Sequence, residues 1–206
     1  MYYLCCAGIG YAMGSVSPSY ILGKVKKVDM RKSGTKNLGA SNTFMHFGRF
    51  WGIFVMLFDI LKAFFAVKLS QLIFHELVFA GLVSGSFAVI GHNYPFYLGF
   101  KGGKGLASYG GFVLRVSPLL FLMLLISCLI CAFILNYGCV IALSATIIFP
   151  FLTWAKFGSV AAFAIAAICS ISVFLKHTEN IKRIRTGEET KFRSFIGRYI
   201  LKLKKK

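Results

Sequence analysis

The feature that most constrains this chain is the alternation of long apolar runs with short basic segments. Of its 24 Lys and Arg residues, 7 lie within residues 23–50 and 11 within residues 176–206, while the apolar runs between them carry few. A soluble domain of 206 residues could not bury a composition that is 57% hydrophobic and still carries a net charge of +18. Separation of apolar runs from basic loops is typical of a polytopic membrane protein.

The strong positive charge also raises the alternative of nucleic-acid binding. The basic segments flank apolar spans, and they lack the interleaved aromatic side chains on which bases stack. We therefore expect no nucleic-acid partner. Attraction to anionic lipid headgroups or to phosphorylated substrates fits the pattern better.

Seven apolar segments are predicted, or five if some are miscounted, so the expected fold is an all-α membrane bundle. A spanning helix needs about 20 apolar residues, or fewer where surrounding protein shields it. The stretch 106–135 is too long for one ordinary helix and is interrupted at Arg115, Ser117 and Pro118, so it is divided in two. The predicted segments are 2–22, 51–74, 77–98, 106–116, 119–135, 139–154 and 159–175.

The order of apolar and basic residues predicts the orientation in the membrane. No basic residue precedes the first apolar run, and Lys24, Lys26 and Lys27 follow it. This order argues for an uncleaved anchor with its N-terminus outside. Residues 23–50, 99–105 and 176–206 then fall on the same side, and because they hold 20 of the 24 basic residues that side is predicted to be cytoplasmic. The run Lys204–Lys206 is expected to be a solvated, lipid-facing end of a single domain, 1–206.

Most of the six cysteines lie inside apolar segments. Cys128 and Cys131 are spaced to share a helix face, but no second pair completes a zinc site. We expect buried thiols and no metal.

The segment Phe100-Lys101-Gly102-Gly103-Lys104-Gly105 is the most informative motif. Its glycines permit a tight turn that could direct N–H groups at an anion, its lysines add charge, and a helix is predicted to begin near Leu106. It is not a P-loop, because the upstream glycine and the Ser or Thr after the lysine are missing. The alternative interpretation is a tight turn between helices with incidental lysines.

Three further sets of polar residues lie near the predicted cytoplasmic side or inside a span. Residues 31–43 alternate small side chains with amides, which suits the lining around a polar ligand and equally a flexible loop. His177 and Asn180 would share a face if the start of the third region is helical. Asp59 and Lys62, inside the second span, are also three residues apart and are expected to pair, with a supporting role at the site as the alternative.

Taken together, regions 31–48, 91–108 and 177–184 resemble the three cytoplasmic motifs of the bacterial acyl-phosphate:glycerol-3-phosphate acyltransferase family. Residues 14–20 and 57–62 also resemble it, and the similarity spans essentially the whole chain. The resemblance implies transfer of a fatty acyl group from acyl phosphate to the 1-hydroxyl of sn-glycerol 3-phosphate. The products would be lysophosphatidic acid and phosphate, in the first step of phospholipid synthesis. It implies a multi-pass protein of the bacterial cytoplasmic membrane whose site faces the cytoplasm, with no cofactor and no obligate protein partner.

The resemblance also implies roles for individual residues. His177, Asn180 and Thr35 would be catalytic, whereas Glu179 would hold local structure. Residues expected to bind substrate or its phosphate are Lys36, Asn37, Asn42, His92, Lys101, Gly102, Gly103, Lys104 and Gly105.

The first region departs from the family pattern. Gly34-Thr35-Lys36-Asn37 stands where the family has Gly-Ser-Gly-Asn, and Met45 stands where it usually has arginine. This departure motivates an alternative, a related acyltransferase with another polyol-phosphate acceptor. A second alternative, a transporter or lipid-binding membrane protein, is disfavoured because the chain lacks paired broken helices in matching halves.

Overall fold

The computed structural model describes residues 1–197 as a bundle of α-helices. The helices are α1 Tyr2–Ser15, α2 Pro18–Val25, α3 Ala40–Ile73, α4 Ala80–Asn93, α5 Leu106–Val116, α6 Pro118–Leu135, α7 Val140–Phe157, α8 Val160–Lys176, α9 Thr178–Arg185 and α10 Phe192–Phe195, with a 3₁₀ turn at Phe96–Leu98. The predicted lysine end at 204–206 lies outside the described residues.

Prolines and a glycine divide the apolar runs. The first predicted segment, 2–22, is not one helix: α1 ends at Ser15, and α2 begins at Pro18, where the Ser17 hydroxyl accepts a hydrogen bond from the Tyr20 N–H at 3.3 Å. The predicted break at 117–118 is confirmed, with Ser117 capping α6 in the same way. Gly48 interrupts α3 with φ of +84°, a conformation that glycine adopts without strain.

Helix α4 lies at the centre of the bundle and contacts α1, α3, α5 and α8. Its approach to α1 is close because both helices have small side chains there: a Cβ on Gly10 would overlap the Ser84 carbonyl, and one on Gly14 would overlap that of Ala88. Such small-residue contacts let helix backbones pack tightly in a membrane, where apolar burial alone does not drive association.

A cluster of aromatic rings fills the space between α5, α7 and α8. Tyr109 and Phe112 of α5 make edge-to-face contacts with Phe149 of α7, at centroid distances of 5.2 and 5.3 Å. The Tyr109 hydroxyl lies 2.8 Å from the Ser170 hydroxyl of α8, which satisfies its polar end inside the core.

Three helices in the described part of the chain, α3, α6 and α7, are long and apolar enough to cross a membrane, and the bent pair α8 and α9 would make a fourth. The exposed side chains of α6 are almost entirely large and apolar, as a lipid-facing helix requires. Each predicted segment contains a helix, but α1, α4 and α5 have only 14, 14 and 11 residues. The all-helical membrane fold is therefore confirmed, whereas the count of seven crossings stays a prediction.

Candidate active site

The glycine loop folds back on the end of α4. The N–H groups of Gly102 and Gly103 donate to the carbonyls of Asn93 and His92, at 3.1 and 3.0 Å. These two N–H groups are not available to an anion, contrary to the expectation from the sequence. Gly102 and Gly103 can therefore shape a phosphate site, but their N–H groups cannot line it.

Close packing is the reason that Gly103 must be glycine. A Cβ at this position would overlap the Nε2 atom of His92 and would lie 2.7 Å from the carbonyl oxygen of Leu38. The contact with Leu38 joins the second motif region to the first. Gly105, with φ of +85°, then turns the chain into α5.

The N-terminus of α5 supplies the donors that the glycines do not. Among residues 1–197, no backbone acceptor pairs with the N–H groups of Lys104, Gly105 and Leu106. The unpaired N–H groups at the start of a helix carry partial positive charge and bind anions. The N–H groups that remain free for an anion thus lie one to three residues after Gly103.

The Lys104 ammonium joins the second motif region to the third. Its Nζ atom donates a hydrogen bond to the Asn180 Oδ1 atom of α9. Burial lowers the pKa of Lys104 below its ordinary value of 10.5, and the charge of nearby Arg183 lowers it further. A partly desolvated ammonium beside a helix N-terminus is a strong partner for an anionic leaving group. Lys101, by contrast, is exposed.

The tautomer of the His177 side chain follows from the hydrogen bond that its Nδ1 atom makes with α8. Its Nδ1 atom lies 2.8 Å from the carbonyl oxygen of Val173, which can only accept, so Nδ1 carries the proton. The neutral ring therefore has an unprotonated Nε2 atom that can accept a proton. His177 is buried at the junction of α8 and α9, within electrostatic range of Lys104.

Asn180 is buried on the same side of the junction, whereas Glu179 is not. The start of this region is helical, because α9 begins at Thr178, which is the condition under which His177 and Asn180 share a face. Glu179 is exposed and pairs with Lys182 at 3.1 Å. Its carboxylate is therefore engaged on the exposed surface of α9.

A buried charge cluster supports the glycine loop from behind. The predicted pairing of Asp59 with Lys62 is confirmed at 2.7 Å, and the same ammonium donates to the Nδ1 atom of His92 at 2.9 Å and to the Val16 carbonyl at 2.7 Å. Because an ammonium only donates, Nδ1 of His92 accepts and its Nε2 carries the proton on the side of Gly103. His92 thus connects the cluster to the loop.

The first motif region is a loop organised by Asn42. Its amide donates to the carbonyls of Met30, Ser33 and Asn37, each at 3.0 Å, and accepts from the Thr35 N–H at 3.0 Å. Because both polar atoms of this buried side chain bond to the loop's own backbone, Asn42 holds the loop, and its role in binding substrate stays a prediction.

The remaining predicted residues of this loop are exposed or half-buried. Thr35 and Lys36 are exposed, Asn37 is half-buried, and Lys36 has φ of +56°. Within residues 1–197 the hydroxyl of Thr35 makes no hydrogen bond to the second or third region, so its catalytic role stays a prediction. Met45 is also exposed, which leaves the position that the family usually gives to arginine without a charge.

The three regions nevertheless lie together. Leu38 of the first region, together with Met30 just before it, packs with Leu98, which precedes the glycine loop. The three regions, whose segments are predicted to lie on the same side of the membrane, thus meet through the contacts of Leu38 with Gly103 and of Lys104 with Asn180.

Two residues at the site were not among the predicted ones. Asn93 is fully buried and donates to the Ser172 hydroxyl at 3.2 Å, and within residues 1–197 its Oδ1 atom, beside Gly105, has no hydrogen-bond partner. The polar run Gly91-His92-Asn93 at the end of an apolar segment could have identified it from the sequence. Glu189 contacts Asn180, and only its acidic character in a basic tail could have drawn attention to it.

Fold and site together define an integral membrane protein whose polar loops gather a lysine, a histidine and an amide around a helix N-terminus. The model of the family described as glycerol-3-phosphate acyltransferase matches residues 4–187. The chain is 31% identical to the glycerol-3-phosphate acyltransferase of Fusobacterium nucleatum, covering 94% of this chain and 100% of the relative. It is 34% identical to glycerol-3-phosphate acyltransferase 1 of Oceanobacillus iheyensis, covering 96% and 99%.

Solved structures agree with the sequence comparison. The crystal structure of PlsY, an integral membrane glycerol 3-phosphate acyltransferase, in its glycerol 3-phosphate form matches with a TM-score of 0.83 at 30% identity, covering 93% of this chain and 96% of that one. The lysophosphatidic acid form matches with a TM-score of 0.80 at 29% identity, covering 93% and 95%. The chain belongs to the glycerol-3-phosphate acyltransferase family.

Proposed function

We propose that the chain transfers a fatty acyl group from acyl phosphate to the 1-hydroxyl of sn-glycerol 3-phosphate. The observation that carries this proposal is the convergence of Lys104, Asn180 and His177 beside the N-terminus of α5. An ammonium and unpaired N–H groups suit a phosphate, and an unprotonated imidazole nitrogen suits a hydroxyl.

The proposed reaction is a direct transfer with no acyl-enzyme intermediate. The oxygen of the 1-hydroxyl forms a bond to the acyl carbonyl carbon, and the bond from that carbon to the phosphate oxygen breaks. The hydroxyl proton passes to Nε2 of His177 and leaves with phosphate. Because acyl phosphate is already activated, positioning and charge stabilisation supply most of the acceleration.

Each side chain has one role in this proposal. Lys104 and the N–H groups at the start of α5 stabilise the negative charge on the departing phosphate. Asn180 holds the Lys104 ammonium in place. His177 accepts the hydroxyl proton, since its other ring nitrogen is occupied by the Val173 carbonyl.

The first loop is the part of the site that governs the acceptor in this proposal. Lys36 brings a charge where the family pattern has glycine, and Met45 removes one where it usually has arginine. A lysine does not reproduce bidentate pairing of arginine with phosphate. A panel of acceptors therefore accompanies the assay, and a clear preference for another polyol phosphate over glycerol 3-phosphate would support the alternative acceptor.

The proposed location is the cytoplasmic face of a bacterial membrane. The basic segments that surround the three motif regions support it, because loops rich in Lys and Arg stay on the cytoplasmic side. The apolar product would then pass directly into the bilayer.

The test is product analysis with purified protein in detergent. Wild type, His177→Ala and Lys104→Ala are incubated with palmitoyl phosphate and glycerol 3-phosphate, and lysophosphatidic acid is measured by mass spectrometry. His75→Ala and Lys156→Ala serve as matched controls, since His75 is exposed and Lys156 lies in the last turn of α7. We expect product from wild type and both controls and a loss of about 100-fold or more in both site variants. Equal activity in all five proteins would refute the assigned roles.

A further inference from the structure

The chain reverses direction immediately after α9. Gly187 has φ of +77°, and the N–H groups of Glu188 and Glu189 both donate to the carbonyl of Arg183, at 2.8 and 3.1 Å. This turn brings residue 189 back against the side of α9 that carries Asn180. The family model ends at residue 187, so the returning segment lies beyond it.

The carboxylate of Glu189 is divided between two partners of the third motif region. Its Oε1 atom accepts from Asn180 Nδ2 at 2.9 Å, and its Oε2 atom accepts from Arg183 Nε at 2.8 Å. The Glu189 side chain is only 11% exposed, so its carboxylate is largely withdrawn from water. The neighbouring Glu188 is exposed, and within residues 1–197 its side chain has no partner.

These contacts determine which way the amide of Asn180 faces. A carboxylate only accepts and an ammonium only donates, so Asn180 must direct its nitrogen at Glu189 and its oxygen at Lys104. Without Glu189 the amide can rotate, and the hydrogen bond that holds Lys104 is no longer specified.

The chain beyond Glu189 is fixed to a different part of the bundle. The Phe192 N–H donates to the carbonyl of Asn136 at 2.9 Å, and the Arg193 N–H donates to the Asn136 side chain at 3.0 Å. Lys191 Nζ donates to the hydroxyl of Tyr137 at 2.6 Å. Residues 187–193 therefore form a strap between α9 and the turn that joins α6 to α7, with Glu189 held between its two attachments.

We propose that Glu189 is a positioning residue for the acyl transfer: it orients the Asn180 amide and thereby holds the Lys104 ammonium at the site. Glu189 acts through Asn180 and touches neither substrate. The inference rests on the proposed acyltransferase activity.

Glutamine cannot replace Glu189 in this role. Its side chain has nearly the same shape but offers one acceptor and one donor group, while Asn180 Nδ2 and Arg183 Nε both require acceptors. In Glu189→Gln, one of the two contacts therefore places a donor against a donor. Aspartate keeps two acceptors but is shorter by one methylene, so Glu189→Asp should show an intermediate loss.

The experiment compares Glu189→Gln with the matched control Glu188→Gln in the full chain. Initial rates are measured with palmitoyl phosphate and varied glycerol 3-phosphate, and melting temperature in detergent is followed alongside. We expect kcat to fall about tenfold or more in Glu189→Gln, with KM for glycerol 3-phosphate within about threefold of wild type and Glu188→Gln unchanged. If Glu189→Gln does not purify as folded protein, Glu189→Asp is held to the same comparison, with a kcat loss of about threefold.

A double-variant cycle identifies the route of the effect. In an Asn180→Ala background, adding Glu189→Gln should change kcat by no more than about twofold, because the amide to be oriented is already absent. A full, multiplicative loss in that background would overturn the inference, as would wild-type kcat in Glu189→Gln. No product from wild type would instead refute the proposed function itself, so the two failures are distinguishable.

Discussion

Removal of the Lys62 side chain tests the buried charge cluster behind the glycine loop. Lys62 and Asp59 are each almost completely buried and lie 2.7 Å apart. In Lys62→Met the Asp59 carboxylate stays buried, with the Nδ1 atom of His92 as the nearest titratable group at 3.3 Å. An uncompensated buried charge costs about 3–5 kcal/mol. His92 and the Val16 carbonyl also lose a hydrogen bond each, at about 1 kcal/mol apiece.

The double variant Asp59→Asn/Lys62→Met separates these contributions. It removes both charges, so only the lost hydrogen bonds remain, and we expect it to be about 2 kcal/mol less stable than wild type. Lys62→Met alone should therefore be less stable than the double variant, although it changes fewer residues. Lys68→Met, an exposed lysine of the same helix, is the matched control.

The assay is thermal unfolding in one detergent at one scan rate, since unfolding of such a protein is under kinetic control. We expect the melting temperature of Lys62→Met to fall on the order of 10 °C, that of the double variant to fall less, and that of Lys68→Met to stay unchanged. Equal melting temperatures for Lys62→Met and wild type, or losses in Asp59→Asn and Lys62→Met that simply add in the double variant, would refute the reasoning.

Three further predictions concern the loops of the site. Gly103→Ala should reduce activity about 100-fold or more, because the added Cβ overlaps His92. The control Gly110→Ala should be as active as wild type, since its Cβ would lie 3.6 Å from the ring of Phe121. Equal rates for the two variants would contradict the close packing at Gly103. Activity should decline as pH rises through the lowered pKa of Lys104, because the ammonium is the active form. Lys104→Arg should move this decline to higher pH, since a guanidinium stays protonated. Identical pH profiles of product formation in the two proteins would count against this role of Lys104. Asn42→Ala should raise KM for glycerol 3-phosphate and increase protease cleavage in residues 31–39, since the loop loses its central hydrogen bonds. Unchanged cleavage would show that Asn42 does not hold the loop.

The sequence was sufficient to predict the helical membrane fold, because the lengths of the apolar runs and the positions of the prolines can be read directly from it. The break before α6 follows from Ser117 and Pro118, and the structure has it there. The division of the first apolar run at Pro18 has the same physical cause, and yet the run 2–22 was predicted as one segment. Apolar character alone could not separate a full crossing from a short helix shielded by its neighbours, as α5 illustrates.

The grouping of the motif regions on one side of the bundle was also predictable, whereas the hydrogen-bond partners of individual polar atoms were not. Gly102 and Gly103 look like free anion-binding amides in the sequence, but their N–H groups bond to the end of α4. Asn42 looks like a ligand-binding amide, but it satisfies the backbone of its own loop. The partner of each N–H or amide group depends on where carbonyl groups lie in three dimensions, and residue spacing does not specify those positions.

Glu189 is a residue of the site that the sequence does not predict. It lies nine residues after Asn180 in a tail dominated by lysine and arginine, where an acidic side chain reads as solvated surface. Only the reversal at Gly187 brings its carboxylate to the amide.

The most direct test of the account is to follow lysophosphatidic acid formed by the purified protein from palmitoyl phosphate and isotopically labelled glycerol 3-phosphate. The account predicts one labelled product and one phosphate released for each acyl group transferred, with both lost in Lys104→Ala. Release of phosphate at the same rate without the acceptor, or labelled product undiminished in Lys104→Ala, would contradict it.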